Sequence, residues 1–264
     1  MTPAEAAGRL LMIGAGNMGG AMLRRWMEVG LSPEQVTVVS PSGRAMPDGV
    51  RVVPAVPAAV FDTIVLALKP QGLGLVREAL QGHAPRLFVS ILAGVELATL
   101  TPLVRGPVVR VMPNLPVAIG KGVVALHGER DTEAGARAAA LMAPLGLVEW
   151  MGDERLFDLV TALAGSGPAF LYRFVDALAR AGTALGLPDE QSARLALATV
   201  EGSALLAAGA DVAPAGLAER VASPGGSTRE GLNVLDRDEA LVRLLTETLA
   251  AATRRNAEMA AAAR

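Results

Sequence analysis

Three glycines at GxGxxG spacing carry the clearest chemistry in this chain. In the run Ile13, Gly14, Ala15, Gly16, Asn17, Met18, Gly19 each glycine has its own use at a dinucleotide site. Gly14 permits a tight turn, Gly16 has no side chain to hold a pyrophosphate off the backbone, and Gly19 allows close packing of a helix on a sheet. Free N–H groups and the helix dipole then favour an anion at the helix start. Glycines are common in turns, so the bare alternative is a structural turn. The context favours the dinucleotide: an apolar run, Leu10 to Ile13, precedes the motif, and Met18, Met22, Trp26 with Leu23, Met27 follow at helical spacing.

Other residues could serve the same cofactor. About twenty residues past the glycines, NAD sites usually carry a carboxylate for the ribose hydroxyls. Here Ser40, Pro41, Ser42, Gly43 and Arg44 stand instead. Two hydroxyls and a guanidinium suit a 2′-phosphate, which favours NADPH and leaves NADH possible; the alternative is a polar turn with Arg44 in solvent. Ala67, Leu68, Lys69, Pro70 and Gln71 follow a strand and form a candidate wall of the nicotinamide ribose site, Lys69 being either a catalytic cation or a charge balance. Ala93 and Gly94 make a small-residue turn that a ring could approach, and Asn114 between two prolines offers an amide to a carboxamide or substrate.

A second candidate site is the run Ser223, Pro224, Gly225, Gly226, Ser227, Thr228. Pro-Gly-Gly allows positive φ, successive N–H groups can form an anion nest, and Ser227 and Thr228 lie where an N-cap belongs. A small carboxylate is the natural guest; an ordinary capped helix start is the alternative. A nicotinamide and a carboxylate site together suggest hydride transfer, with the acceptor carbon about 3–3.5 Å from the ring. A cyclic imine, largely protonated near neutral pH, would accept hydride without an evident acid catalyst.

The elements that would position these groups are legible too. Strand-like runs at 10–13, 35–40, 51–53, 61–68, 87–92, 107–112, 120–126 and 147–151 alternate with helical stretches, which predicts an α/β, doubly wound Rossmann-type sheet over 1–152. Met1 to Gly8 reads as a frayed leader. From about Asp153 strand signals give way to alanine-rich helices, which predicts an all-helical domain over 153–264, with one helix from Asp153 to Ala164 and a last one from Asp236. The helix 189–208 is apolar on nearly every side, so it needs cover. A homodimer through this half supplies that, a well-buried monomeric bundle being the alternative.

Composition narrows the classes further. The net charge of −2 and 3% aromatic content argue against nucleic-acid partners. No cysteine and two distant histidines, His83 and His127, leave no expected metal site. Met1 to Gly8 lacks the features of a signal peptide, and no apolar run reaches the ~18 residues of a spanning helix, so no membrane role and a cytoplasmic location are expected.

The motifs together resemble the pyrroline-5-carboxylate reductase family. The resemblance runs from Ile13 to about the end of the chain. It rests on the glycine run, Leu66 to Gln71, Arg110 to Pro116 with Gly120 and Gly122, Thr161 to Phe170, Gly186 to Pro188, and Ser223 to Thr228. It implies NADPH-dependent reduction of 1-pyrroline-5-carboxylate, a cyclic imine carboxylate, to L-proline, the last step of proline biosynthesis. It implies a Rossmann domain followed by a helical dimerisation domain, with dimers that can assemble into decamers and complete one another's sites. Carried over, Ile13 to Gly19, Ser40, Ala67 to Pro70, Ala93 and Gly94 would line the cofactor. Ser223 and Gly226 to Thr228 would hold the carboxylate, and Thr161 would face the imine nitrogen. Ala164, Leu115, Phe170 and Arg220 depart from the usual family residues, and Ala164 puts affinity in doubt. A hydroxyacid dehydrogenase would need a lysine between Asp153 and Gly182, where there is none. A reductase of another cyclic imine acid, or a non-catalytic nucleotide-binding regulator, stays open on residues alone.

Overall fold

The computed structural model describes residues 1–43 and 45–262. Eight strands form one sheet: β1 (Leu10–Ile13), β2 (Val36–Val39), β3 (Arg51–Val53), β4 (Thr63–Leu66), β5 (Leu87–Ser90), β6 (Val108–Pro113), β7 (Gly122–His127) and β8 (Gly146–Trp150). Their order is β3-β2-β1-β4-β5-β6-β7-β8, with β1 to β6 mutually parallel. β1, β4 and β5 are buried along their whole length, which is why they read as unbroken apolar runs. Alternate residues feed two cores: Leu10, Met12, Val65, Leu87 and Val89 on one face, Leu11, Ile13, Ile64, Leu66 and Phe88 on the other.

The last two strands break the parallel pattern. β7 runs antiparallel to β6, and β8 parallel to β7. Only residues 114–121 join β6 to β7, too short a link for the crossover that a parallel neighbour requires. The helices of this part are α1 (Pro3–Ala7), α2 (Asn17–Glu28), α3 (Leu73–Leu80), α4 (Leu97–Leu100) and α5 (Glu133–Met142). Trp26 anchors α2 on α5, its Nε1–H donating to the Leu141 carbonyl at 2.7 Å.

The expected frayed leader is corrected. Residues 3–7 form α1, and Ala6 and Ala7 are wholly buried. Thr2 and Glu5 make a reciprocal capping box with Pro3 in the first turn. At the other end the buried Arg137 donates to the Ala6 carbonyl at 2.6 Å. A single helix from Asp153 to Ala164 is corrected as well. A 3₁₀ turn at Glu154–Leu156 leads into α6 (Phe157–Val160), then a π-turn at Thr161–Gly165 closed by the Ser166 N–H on the Thr161 carbonyl at 2.9 Å.

The remaining helices are α7 (Gly167–Ala184), α8 (Asp189–Ala208), α9 (Pro214–Val221), α10 (Ser227–Asp236) and α11 (Ala240–Ala262). The last starts later than Asp236 because Asp238, at φ 51°, breaks the helix before it. The chain divides into two compact units, residues 1–166 with 251–264, and residues 167–250. In the second unit α7 and α8 touch at Gly182: a Cβ there would lie 2.3 Å from the Ser192 Oγ, which donates to the Ala179 carbonyl at 2.6 Å. That unit has almost no interior among its described residues. Leu205 is 61% and Leu206 68% exposed on α8, and Leu171, Phe174, Val234 and Leu244 are also open.

Candidate active site

The sheet order reverses between β1 and its neighbours β2 and β4, the switch point at which open α/β sheets take ligands. The glycine turn leaves β1 there. Gly14 has φ +87°, and a Cβ on it would strike the Ala67 carbonyl oxygen at 2.9 Å. Its N–H donates to the Val39 carbonyl at 3.1 Å. A Cβ on Gly19 would stand 3.1 Å from that of Ala67, so this glycine sets how closely α2 approaches the strand. Around Gly16 nothing lies within 4 Å of the Cβ position. Gly16 caps α2 without a side-chain hydrogen bond, so the first-turn N–H groups, beginning at Asn17 and Met18, point out of the helix end uncapped. An open backbone cradle at the end of a twelve-residue helix fits a dinucleotide pyrophosphate.

The other predicted cofactor residues divide by environment. Ile13 is buried, so only its backbone is available, and its carbonyl accepts the Ala67 N–H at 2.8 Å. Ala15 is buried and Met18 half-buried. Ser40 follows β2, with its N–H on the Val53 carbonyl at 2.9 Å and its Oγ 3.4 Å from that of Ser42. Arg44 lies outside the described residues. Ala67 and Leu68 are half-buried after β4, and the exposed Lys69 opens the 3₁₀ turn at Pro70–Gly72. Gly94, at φ +72°, makes the turn after β5.

A cavity of about 140 Å³ joins several of these groups. Pro70, Ala93 and Gly94 line it together with Thr161, so the loops after β4 and β5 meet the π-turn. Thr161 Oγ1 donates its hydrogen to the Phe157 carbonyl at 2.7 Å, which leaves its lone pairs as acceptors. Gln71, Asp158, Asn256 and Met259 complete the wall, and the sequence reading missed the last three. Asn256 Nδ2 donates to the Asp158 carbonyl at 3.1 Å. The one available signal was a lone amide in an alanine-rich terminal helix.

Asn114 is buried with its amide turned inward. Its Nδ2 donates to the Ala164 carbonyl at 3.0 Å, and its Oδ1 accepts the Val123 N–H at 2.8 Å. It thereby ties β7 to the π-turn. Beside it in the sheet, the buried Arg110 pairs with Glu154 at 2.9 Å and stacks on Phe157, and Glu154 also accepts the Leu97 N–H at 2.8 Å.

In the second unit, the predicted carboxylate turn is built as a closed loop. Gly225 has φ +70°, and the Gly226 N–H returns to the Ser223 carbonyl at 3.0 Å. A Cβ at Gly226 would fall 2.5 Å from the Ser223 Oγ, so only glycine lets that hydroxyl lie over the turn. Gly226 caps α10 with no side-chain bond, and the exposed Ser227 and Thr228 begin the helix with open donors. Among the described residues no group of three or more His, Asp or Glu could hold a metal, and no helix is long and apolar enough to cross a membrane.

A switch-point glycine cradle on a mostly parallel sheet defines a dinucleotide-binding fold of the Rossmann class. In agreement, the family model described as NADP oxidoreductase coenzyme F420-dependent matches residues 9–94, and the one described as pyrroline-5-carboxylate reductase dimerisation matches residues 154–259. The chain is 35% identical to the pyrroline-5-carboxylate reductase of Pseudomonas aeruginosa over 96% of its length and 97% of the relative's. It is 37% identical to that of Synechocystis, over 95% and 98%. Among solved structures it is similar to a pyrroline-5-carboxylate reductase from Coxiella burnetii, with TM-score 0.84, 27% identity and coverage of 96% and 98%. It is also similar to the Plasmodium falciparum pyrroline carboxylate reductase with NADP bound, with TM-score 0.80, 26% identity and the same coverage, 96% and 98%. The chain belongs to the pyrroline-5-carboxylate reductase family, whose reaction forms L-proline in the last step of proline biosynthesis.

Proposed function

We propose that this chain reduces 1-pyrroline-5-carboxylate with NADPH as hydride donor, and that the cavity at Thr161 receives the nicotinamide and the imine. The observation that carries this is the meeting of Thr161 with Pro70, Ala93 and Gly94 in one cavity. NADPH, when bound, supplies the hydride that goes to the imine carbon. The N–H groups around Gly16 to Met18 would hold the pyrophosphate, and Ser40 and Ser42 would face the adenosine 2′-phosphate. Ala67 to Pro70 flank the nicotinamide ribose, and Ala93 and Gly94 admit the ring. Asn114 acts through the π-turn, because its amide holds Ala164.

Thr161 orients the imine and does not acidify it. Its hydroxyl hydrogen is engaged by Phe157, so its oxygen accepts a bond from the N–H of an already protonated imine. Hydride on the carbon and that proton on the nitrogen give the neutral amine of proline. Ser223, Gly226, Ser227 and Thr228 are assigned to the substrate carboxylate through the open end of α10, in a homodimer whose chains complete one another's sites.

The functional division falls at 152/153, ahead of the helices, and the helical half forms a homodimer. The many exposed leucines of α8 and α11 support this, since clustered exposed apolar residues mark interaction surfaces. A decamer is a further step that the family likeness suggests. The test mixes the protein with NADPH and pyrroline-5-carboxylate and follows the reduced-nicotinamide absorbance. Steady oxidation with proline as product is expected. Absence of turnover, or turnover only with another cyclic imine acid, would overturn the substrate assignment.

A further inference from the structure

We propose that Arg24, on the second turn of α2, is a specificity residue that grips the 2′-phosphate of NADPH; this rests on the NADPH reading above. A groove of about 230 Å³ runs from the glycine turn to the segment after β2. Ala15, Gly16 and Asn17 line one end and residues 45–47 the other, with Arg24 between them. The carboxyl end of β2 is where a Rossmann sheet meets the adenosine ribose. The groove therefore covers the path from pyrophosphate to ribose.

Gly20 explains how the guanidinium gets there. Helical side chains lean toward the N-terminus, onto the residue four positions back. Four back from Arg24 is Gly20, where a Cβ would stand 3.4 Å from Arg24 Nη1. With no side chain at Gly20, the guanidinium lies along the first turn of α2 and borders the groove.

Its charge is free for a ligand. Glu28, one turn on, pairs with Arg25 at 3.2 Å, and Arg25 also bonds the Pro144 carbonyl. Arg24 is exposed and makes no ion pair among the described residues. No carboxylate is among the described residues lining the groove, and Arg24 is its one cation there. Such a lining favours an anion. A guanidinium suits a phosphate monoester because it offers paired donors.

The test titrates NADPH and NADH separately into the full-length protein and its Arg24→Gln variant, by nicotinamide fluorescence, with melting temperature as a control for folding. Wild type is expected to bind NADPH more tightly than NADH. The variant should lose about tenfold to a hundredfold in NADPH affinity and less than about twofold in NADH affinity, at an unchanged melting temperature. An equal loss on both cofactors would move Arg24 to the pyrophosphate and overturn the assignment, as would an undiminished NADPH preference. Failure of the NADPH reading looks different: wild type itself would bind both cofactors alike, and the role given to Arg24 would fall with it.

Discussion

Gly16→Ala separates folding from cofactor binding at a single carbon atom. Gly16 has φ −67° and ψ −161°, an extended conformation open to alanine, and nothing lies within 4 Å of the position its Cβ would occupy. The folded protein therefore loses no contact and gains no strain. Replacing glycine where the native backbone suits alanine stabilises by about 0.4–1 kcal/mol through the unfolded chain. As the N-cap of α2, alanine is also the poorer cap by a comparable amount, so the melting temperature should stay within about 4 °C of wild type. The new methyl stands where the pyrophosphate would meet the backbone. Pushing that anion off one charge-assisted N–H bond costs about 1.5–3 kcal/mol, or roughly 10- to 150-fold in Kd. The assays are thermal unfolding without cofactor and NADPH titration by fluorescence. Gly14→Ala serves as the contrast, since its φ of +87° and the 2.9 Å approach to Ala67 should cost stability first. Unchanged NADPH affinity in Gly16→Ala would mean that no phosphate lies on this turn. A melting temperature lowered by more than about 5 °C would mean that the space is not open.

Three further perturbations address the rest of the molecule. Thr161→Val is expected to lower kcat/KM by about 10- to 150-fold, through loss of one charge-assisted bond, while Thr161→Ser keeps most of it; a valine variant with full activity would remove Thr161 from the imine. Thr228→Ala should raise KM for the carboxylate substrate by about tenfold or more with NADPH affinity unaltered, and an unchanged KM would put the carboxylate elsewhere. Burial holds the His83 imidazole below its usual range, so its neutral form is the one the fold prefers. Its contribution is complete above the unfolded value near 6.5 and is lost as pH falls below it. Melting temperature should drop between pH 7 and pH 5, and His83→Leu should flatten that slope; an identical slope would assign the loss to other groups.

Sequence alone revealed those parts of the fold that depend on local rules. Gly14 and Gly19 take the turn and close-packing roles their spacing implied, the Cβ position of Gly16 is open, and the helix Asp189–Ala208 has the bounds read from the sequence. The frayed leader was a misreading of local signals, since Thr2, Pro3 and Glu5 spell a capping box, but the burial of Ala6 and Ala7 against α5 is a tertiary fact. Strand direction was not legible at β7 without weighing the short link before it. The π-turn at Thr161 was hidden because its residues are ordinary helix formers, and its i−5 bond has no sequence signature. Asn256 was out of reach for another reason: nearly a hundred positions separate it from Asp158, and no pattern in either segment points to the other.

The return of residues 251–264 to the first unit bears on how the protein is made. Synthesis is vectorial, and the sheet with its glycine turn emerges from the ribosome long before α11. Asn256 and Met259, which wall the cavity at Thr161, are translated well after Thr161 itself. A nascent chain can thus form its glycine turn while the cavity at Thr161 still lacks a side, and that cavity closes only once α11 has been made.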